Sequence, residues 1–272
     1  MAVRSALINV MTAAALKAAR GMIRDFGEVE QLQVSVKGPG DFVTQADLKA
    51  EKVLRTELAR ARPGYGFLME ESGATAGSDE RHRWIIDPLD GTTNFLHGIP
   101  QFCISIGLER DGELVAGVIY EPIRDEMFFG EKGQGAYVND RRLRVSARRQ
   151  LNESVIATGI PTIRGSVDRA LYMRTLAAVM GATVGVRRFG AAALDLAYVA
   201  AGRVDGFWEF GLQPWDMAAG IVLIREAGGY ISGLRDGNRD VMASGDVLAA
   251  NDHLHLPLAA LLKDAMKGGT NP

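Results

Sequence analysis

Hydrophobic residues recur along the chain with two periods, one typical of helices and one typical of strands, and the two kinds of stretch alternate. Near the N-terminus they predict an amphipathic first helix that packs on the body of the protein through Leu7, Ile8, Met11, Ala14, Ala15 and Ala18. Further helices are predicted from Thr44 to near Arg62, and over 166–180, 191–201, 216–227 and from about Leu256.

Short apolar or alternating runs between these helices predict strands at 32–36, 66–69, 155–158, 206–210 and 247–250, and one that ends at Ile86. Runs at 102–109, 115–121 and 126–129 predict a meander with Asp111-Gly112 as a hairpin turn. The glycine-rich stretch 37–40 predicts a loop that could close over a site. No repeat and no linker rich in Pro, Gly or Ser interrupts the pattern. We therefore predict one compact α/β (α+β) unit over 1–272, with two tightly packed halves that meet near 145–155.

The segment 84–95 places two carboxylates directly behind an apolar strand. Pro88 fixes a turn, after which the amides of Gly91 and Thr92 point outward at the start of a helix, an arrangement that holds phosphate. Asp87 and Asp90 can share a hard cation such as Mg²⁺, which takes oxygen ligands from carboxylates, substrate phosphate and water. A solvated acidic turn is the alternative, but it would not need the Pro, the Gly and both Asp together.

Two further acidic stretches follow the same design. Glu70-Glu71-Ser72 comes after a short apolar run, and Trp215-Asp216 comes after Pro214 at the start of a predicted helix. Thr44 is a predicted N-cap, and Asp47, three residues later, approaches a capping box. For Asp47 a structural role and a catalytic role are equally open at this stage.

With these motifs in this order, the chain resembles the inositol monophosphatase family of Mg²⁺-dependent, lithium-sensitive phosphatases. The family pattern D-P-[IL]-D-G-T-T-N-F stands without a gap at 87–95, and the pattern W-D followed by a small-residue helix and A-G-G matches 215–229. The resemblance covers nearly the whole chain and implies the family's layered αβαβα sandwich. One departure is Met69, where the family often has Gly, and this predicts a small packing change.

The resemblance also implies roles for individual residues. The metal ligands would be the carboxylates of Glu70, Asp87, Asp90 and Asp216 and the backbone carbonyl of Leu89, holding two or three Mg²⁺ ions per site, with inhibition by Li⁺. The attacking water would be positioned and activated by Glu70 and by Thr92 paired with Asp47. The substrate would contact Asp90, Gly91, Thr92, Ala192, Glu209 and Asp216: the Gly91 and Thr92 amides would hold the phosphate, and Ala192, Glu209 and Asp216 would face the alcohol.

The alcohol itself is less securely predicted than the reaction. The turn at Thr93 fits the branch that acts on myo-inositol monophosphate better than branches acting on histidinol phosphate, adenosine 3',5'-bisphosphate or fructose-1,6-bisphosphate. The segment 159–165 lies where family members contact the substrate ring. Arg188 is open to two interpretations, contact with substrate or pairing with Asp195, of which we prefer the pairing.

Composition is that of an ordinary globular enzyme, with 47% hydrophobic residues and a net charge of −2, so no overall charge attracts nucleic acid. The alternating strand around Cys103, the only cysteine, predicts a buried, inert thiol, which fits a cytoplasmic location. No stretch is expected to reach the length and apolarity of a membrane span, and the resemblance implies a homodimer. An alternative function is regulatory binding of RNA or an acidic protein, with secondary phosphatase activity, through the basic residues Arg141, Arg142, Arg144, Arg148 and Arg149.

Overall fold

Helices and sheets stack in five layers in the computed structural model, which describes residues 4–28, 34–38, 41–160, 168–235 and 240–268. A helix pair covers an outer face of a large sheet, a second pair lies between that sheet and a smaller one, and a third pair covers the smaller sheet. This order is the predicted αβαβα sandwich, and the fold class is confirmed.

Among the described residues the larger sheet has eight strands, and their order follows the chain through most of the sheet. From one edge to the other they are β10 (Arg141–Arg142), β9 (Gly135–Val138), β8 (Glu126–Glu131), β7 (Glu113–Glu121), β6 (Cys103–Arg110), β5 (Asp79–Asp90), β3 (Tyr65–Met69) and β4 (Gly73–Thr75). Only β3 and β5 pair in parallel within it. Their carboxyl ends therefore lie at the same edge of the sheet.

The predicted meander is β6, β7 and β8. Asp111 and Gly112 join β6 to β7 with φ angles of 52° and 77°, and Arg110 pairs with Glu113 across the turn. Two central residues with positive φ are what a tight two-residue hairpin turn requires, because its twist then matches that of the strands. The predicted turn is confirmed.

The first outer layer consists of α1 (Ala6–Phe26) and α2 (Gln45–Ala61). The buried face of α1 includes Ile8, Met11 and Ala15, as its periodicity predicted. By length and apolar composition α1 is, within the described residues, the one helix that could cross a membrane. Our expectation that no stretch would reach the length and apolarity of a membrane span is therefore wrong. The same criterion is met by helices that pack on a protein core, and α1 packs on the core through its buried face.

The strands β1 (Val34–Gly38) and β2 (Asp41–Thr44) follow α1 and precede α2 in the chain, and they form a separate antiparallel pair. The predicted strand at 32–36 and the predicted loop at 37–40 lie partly outside the described residues. Lys37 and Gly38, which we assigned to that loop, belong to β1 instead.

The middle layer consists of α5 (Ala192–Ala200) and α6 (Pro214–Glu226), and it packs closely on the larger sheet. Gly107 and Gly117 are cross-strand partners on β6 and β7. A Cβ atom on Gly117 would lie 2.5 Å from the carbonyl oxygen of Ala219, and one on Gly107 would lie 2.7 Å from the Cβ of Ala218. These two glycines therefore let the backbone of α6 approach the sheet.

The smaller sheet has five strands among the described residues, and α4 (Arg169–Ala182) and α8 (His255–Met266) cover its outer face. Its strand order is β12 (Gly185–Arg187), β11 (Val155–Thr158), β13 (Gly206–Glu209), β15 (Val247–Ala250) and β14 (Tyr230–Ser232). The remaining elements are short: α3 (Thr92–Leu96), α7 (Val241–Ser244) and a 3-10 helix (Leu151–Glu153). The predicted start of α4 near 166 lies outside the described residues.

Candidate active site

Glu70 and Asp87 are neighbours because β3 and β5 run in parallel. Met69 pairs with Ile86, and the Glu70 amide then donates to the Ile86 carbonyl at 3.2 Å. The first acidic residue after β3 therefore lies beside Asp87 near the end of β5. Met69 is fully buried in the core, so the departure from the family pattern at this position is absorbed by packing.

Asp216 reaches the same place from the start of α6. Ser105, the cross-strand partner of Asp87, donates from its hydroxyl to the Trp215 carbonyl at 3.2 Å. Asp216 itself accepts a hydrogen bond from the Gln213 amide at 2.8 Å, as a residue in the first turn of a helix can. Pro214 at the helix start has no N–H to leave unpaired there.

The carboxylates of this cluster oppose one another's ionisation. Burial raises the pKa of Asp87 well above its ordinary value, and the charges of Glu70, Asp90 and Asp216 raise it further, together with a hydrogen bond to Glu70. The pKa of Asp216 is likewise raised well above normal, first by burial and then by Asp90. Like charges held out of water favour a counter-cation.

Asp90 is anchored more firmly than its neighbours. One of its carboxylate oxygens accepts a hydrogen bond from the Ala193 amide at 2.7 Å, which ties the start of α5 to the end of β5. Burial raises the pKa of Asp90 to about 6, while the amides at the start of α5 act in the opposite direction. Cys103 lies 3.7 Å from the same carboxylate, and burial raises the pKa of its thiol. The predicted inert thiol is what the structure shows.

The oxygen-rich set fits a hard divalent cation by its chemistry. Within the described residues no group of three or more His, Cys, Asp or Glu side chains is placed so that it could hold a metal ion as it stands. Leu89 turns its carbonyl toward the Thr92 hydroxyl, at 3.1 Å.

Thr92 and Asp47 meet across 45 residues of sequence. The Thr92 hydroxyl lies 3.2 Å from one oxygen of Asp47, and the Thr44 amide donates to the other oxygen at 2.8 Å. Burial raises the pKa of Asp47, and the hydrogen bonds from Thr44 counteract the rise. Asp47 completes the capping box of α2, which confirms the structural role, and it also contacts Thr92, while its catalytic role stays a prediction.

Gly91 forms the sharp turn between β5 and α3. Its φ of 94° suits glycine, and a Cβ there would lie 2.9 Å from the Gln101 carbonyl. Asn94, one turn later, donates to the carbonyls of Gln101 and Phe189, both at 2.8 Å. These contacts brace the turn whose Gly91 and Thr92 amides we expect to hold phosphate.

Ala192 and Glu209 lie on the side of the cluster nearer the smaller sheet. Ala192 is the first residue of α5 and directly precedes Ala193, whose amide donates a hydrogen bond to Asp90. Glu209 ends β13, and burial raises its pKa to about 8, with a further contribution from the charge of Asp90. The structure therefore brings every predicted site residue to one region, where the start of α2, the larger sheet, the middle helices and the smaller sheet meet, while the individual roles stay predictions.

One predicted contact is wrong in detail. Arg188 and Asp195 influence each other electrostatically, but neither oxygen of Asp195 has a hydrogen-bond partner in the described part of the chain. Asp195 is 1% exposed and Arg188 is exposed. The predicted pairing is therefore limited to the influence of one charge on the other, without a hydrogen bond.

Sequence reasoning missed the residues that support the site from behind. The buried Glu51 accepts the Glu71 amide at 3.0 Å and so fixes the loop that carries Glu70. Ser105 and Gln101 act similarly on the other loops, through the Trp215 carbonyl and the Asn94 side chain. Their positions follow from strand pairing and from side chains that cross between distant segments, and no local pattern indicates them.

A five-layered α/β fold with an acidic site beside a glycine-threonine turn defines a phosphatase of the layered sandwich type. The chain belongs to the inositol monophosphatase family, whose sequence model matches residues 4–267. It is 58% identical over 260 residues to the inositol-1-monophosphatase of Mesorhizobium japonicum, covering 96% of this chain and 97% of that protein. It is 40% identical over 260 residues to the Nus factor SuhB of Escherichia coli, covering 96% and 97%.

Solved structures agree with these sequence relationships. The extragenic suppressor protein SuhB of Bartonella henselae superposes with a TM-score of 0.92 at 57% identity, covering 95% of this chain and 99% of that one. The inositol monophosphatase of Anabaena superposes with a TM-score of 0.81 at 38% identity, covering 94% of each chain. The chain is therefore an inositol monophosphatase family member over almost its full length.

Proposed function

We propose that this protein is a Mg²⁺-dependent phosphomonoesterase that hydrolyses myo-inositol monophosphate to myo-inositol and phosphate. The observation that carries the proposal is the cluster of Glu70, Asp87, Asp90 and Asp216, in which burial and then the neighbouring charges raise the pKa values of Asp87 and Asp216. A site that concentrates negative charge in this way needs cations before it can accept an anionic phosphate ester.

The metal would be held by the carboxylates of that cluster and by the carbonyl of Leu89, as two or three Mg²⁺ ions per site. When bound, such ions lower the pKa of a bound water and neutralise the phosphate. Li⁺, similar in size to Mg²⁺ but with half its charge, is expected to inhibit. The Gly91 and Thr92 amides orient the phosphate, because backbone N–H groups at a turn of this kind point at the ligand.

The remaining steps belong to side chains of the chain itself. Thr92 and Glu70 orient the attacking water, and Asp47 accepts the hydrogen bond of the Thr92 hydroxyl, so that the hydroxyl oxygen is free to receive a hydrogen bond from the water. Asp216, Ala192 and Glu209 position the alcohol. No cysteine or serine nucleophile is required, which agrees with the buried, high-pKa thiol of Cys103.

The substrate is tested by a panel in which released phosphate is measured at saturating Mg²⁺. We expect myo-inositol 1-phosphate to be hydrolysed with a higher kcat/KM than fructose-1,6-bisphosphate, histidinol phosphate or adenosine 3',5'-bisphosphate. The Asp87→Asn variant, purified in parallel, serves as the control for contaminating phosphatases. Efficient turnover of one of the other esters with little turnover of inositol monophosphates would overturn the proposed substrate.

A regulatory role is the second candidate, and its support comes from relatives named Nus factor SuhB. Within the basic segment 141–149, Arg148 forms an ion pair with Asp205 at 3.3 Å, whereas Arg141 and Arg142 lie exposed on an edge strand. Binding of RNA through these side chains would weaken steeply with salt, and an Arg141→Ala, Arg142→Ala variant would weaken it further. We also expect a homodimer and a cytoplasmic location.

A further inference from the structure

Gly159 directly follows β11 and lies beside Glu209 at the end of β13. The two strands pair in parallel, with Thr158 opposite Trp208, so the register places residue 159 opposite residue 209. The segment 159–165 is predicted to contact the substrate ring, and Gly159 is one of its two residues that the structure describes.

The carboxylate of Glu209 occupies the space that a side chain at position 159 would need. An ideal Cβ on Gly159 would lie 1.8 Å from Oε1, 1.9 Å from Cδ and 2.1 Å from Oε2 of Glu209. Gly159 is not among the glycines with a positive φ, so what glycine supplies here is space and not an unusual backbone conformation. A side chain at 159 and the present position of the carboxylate exclude each other.

We propose that Gly159 is a specificity-determining position, at which the missing side chain lets the Glu209 carboxylate lie across the end of β11 and face the alcohol part of the substrate. The inference rests on the proposed function, which assigns Glu209 to the alcohol. Among the described residues no side chain or amide donates a hydrogen bond to the Glu209 carboxylate, so its position depends on the space at Gly159 and on the nearby charge of Arg188. The clash would involve the far end of a flexible side chain, so Gly159→Ala should move the carboxylate and leave the fold intact.

The test compares two substrates at saturating Mg²⁺: myo-inositol 1-phosphate and ethyl phosphate, which has no hydroxyl group for Glu209 to bind. Gly159→Ala should lower kcat/KM for the inositol ester roughly 10- to 100-fold, as expected when a buried hydrogen bond to the substrate is lost. The loss with ethyl phosphate should be much smaller, so that the ratio of the two kcat/KM values changes. Gly181→Ala is the matched control, since a Cβ there meets nothing within 4 Å.

A double-mutant cycle separates this role from a general defect. In a Glu209→Ala background, Gly159→Ala should add less than about a twofold loss, because its effect acts through the missing carboxylate. Equal losses with both substrates, or losses that multiply in the double variant, would overturn the inference. So would a crystal structure of Gly159→Ala with the Glu209 carboxylate in its original place.

Failure of the proposed function is recognised separately, from the wild-type protein. If the wild type hydrolyses another polyol or sugar phosphate but no inositol monophosphate, the proposed substrate is wrong. The ratio is then measured with that ester against ethyl phosphate. A ratio unchanged by Gly159→Ala would contradict the role of Gly159, and a changed ratio would support it.

Discussion

Asp87 and Asp90 lie on one turn but are held by different parts of the chain. Asp87 accepts the Leu89 amide at 2.9 Å within its own turn, whereas Asp90 accepts the Ala193 amide from the start of α5. Both side chains are almost fully buried, so hydration by water does not explain how two acids can lie so close together. The arrangement makes sense if positive charge from a ligand balances them.

Replacing either acid by its neutral amide should abolish turnover. Asp87→Asn and Asp90→Asn each remove a charged oxygen ligand from a site that must neutralise phosphate, so we expect nearly complete loss of kcat at saturating Mg²⁺. The change keeps the size of the side chain, and circular dichroism should show an intact fold. Exposed Asp264 provides the control variant, Asp264→Asn. Substantial activity in either site variant would show that the metal assignment is wrong.

Thr92 and Asp47 are expected to act as one unit on the attacking water. Thr92→Ala should lower kcat more than it raises KM, because the Gly91 and Thr92 amides that bind phosphate survive the change. The expected loss is roughly 10²- to 10⁴-fold, the range for a group that assists proton transfer. Asp47→Asn should have a similar effect, measured by steady-state phosphate release.

The double variant decides whether the two residues are coupled. If Thr92 works through its contact with Asp47, the double variant should be little slower than either single variant. Losses that multiply would show two independent roles. Because Asp47 also completes the cap of α2, thermal unfolding of each variant must be measured alongside the kinetics, and Thr44→Ala, which removes the capping hydroxyl without changing Thr92 or Asp47, is the control for loss of the cap.

At the scale of single residues, the sequence was enough to find the acids and the turn, because Asp, Pro, Gly and Thr at fixed spacing have a local physical meaning. It was not enough for Glu51, Ser105 or Gly159. Each of these acts on a residue at least 20 positions away, and their side chains carry no distinguishing pattern of their own. That Asp195 accepts no hydrogen bond from Arg188 in the described part of the chain was invisible for the same reason.

At the scale of elements, α6 connects the stability of the sheet to the position of Asp216. The helix packs on β6 and β7 through Gly107 and Gly117, and its first turn carries Asp216 into the site. A displacement of the helix axis from the sheet would therefore move a predicted metal ligand as well as open the core.

Gly117→Ala should be destabilising and should also reduce activity. The added Cβ would meet backbone atoms of Ala219 at 2.5, 2.8 and 3.0 Å, and backbone cannot move aside as a side chain can. Overpacking of this kind costs about 1–3 kcal/mol, which urea unfolding would detect. Gly181→Ala on α4 adds the same methyl group in open space and should not destabilise. Equal stability of the two variants would contradict the close approach of α6.

Elements with strong local signals were predicted closely. The capping box at Thr44 gave the start of α2, and its predicted end near Arg62 is the C-cap of the helix; β11 and β15 match their predicted spans. The short strands β4, β9, β10, β12 and β14 were not predicted. They have two to four residues each, too few for alternation to show, and it is pairing with a longer neighbour that makes them strands.

At the scale of the whole molecule, the site collects residues from four of the five layers. Asp47 comes from the outer helix α2, Glu70, Asp87 and Asp90 from the larger sheet, Asp216 and Ala192 from the helices of the middle layer, and Glu209 from the smaller sheet. The sequence predicted these layers through the family resemblance and the alternation of periods, but it could not give the distances between them. The packing of these layers against one another buries the acids, and this burial raises their pKa values.

Burying several like charges where layers meet should make the metal-free protein less stable as the pH rises. A group whose pKa is raised by folding stabilises the fold while protonated, and this contribution is lost as the pH rises through its folded pKa. The pKa of Asp90 is raised to about 6 and that of Glu209 to about 8, and those of Asp87 and Asp216 are raised as well. The temperature of unfolding in chelator should therefore fall between about pH 5 and pH 8.

Other titrating groups do not reverse this trend. Acids with lowered pKa values, such as Glu126, are ionised in both folded and unfolded chains above about pH 5, so they no longer contribute a slope. His255, whose pKa burial lowers, acts in the opposite direction but is one group against the four acids of the site and against Asp47, Glu121 and Asp195, whose pKa values burial also raises. Mg²⁺ in excess should raise the unfolding temperature most at pH 8, because a ligand that binds only the folded state stabilises it.

Scanning calorimetry tests whether the buried charges of the site set this pH dependence. Wild type, Asp87→Asn and Asp264→Asn are each measured with chelator and with Mg²⁺ from pH 5 to pH 8. Asp87→Asn removes one charge of the cluster, so its unfolding temperature in chelator should fall less steeply with pH and should respond less to Mg²⁺. Asp264→Asn, altered at an exposed position, should follow the wild type. An unfolding temperature that rises with pH in chelator, or an Asp87→Asn profile identical to that of the wild type, would show that repulsion within the cluster does not govern the pH dependence of stability.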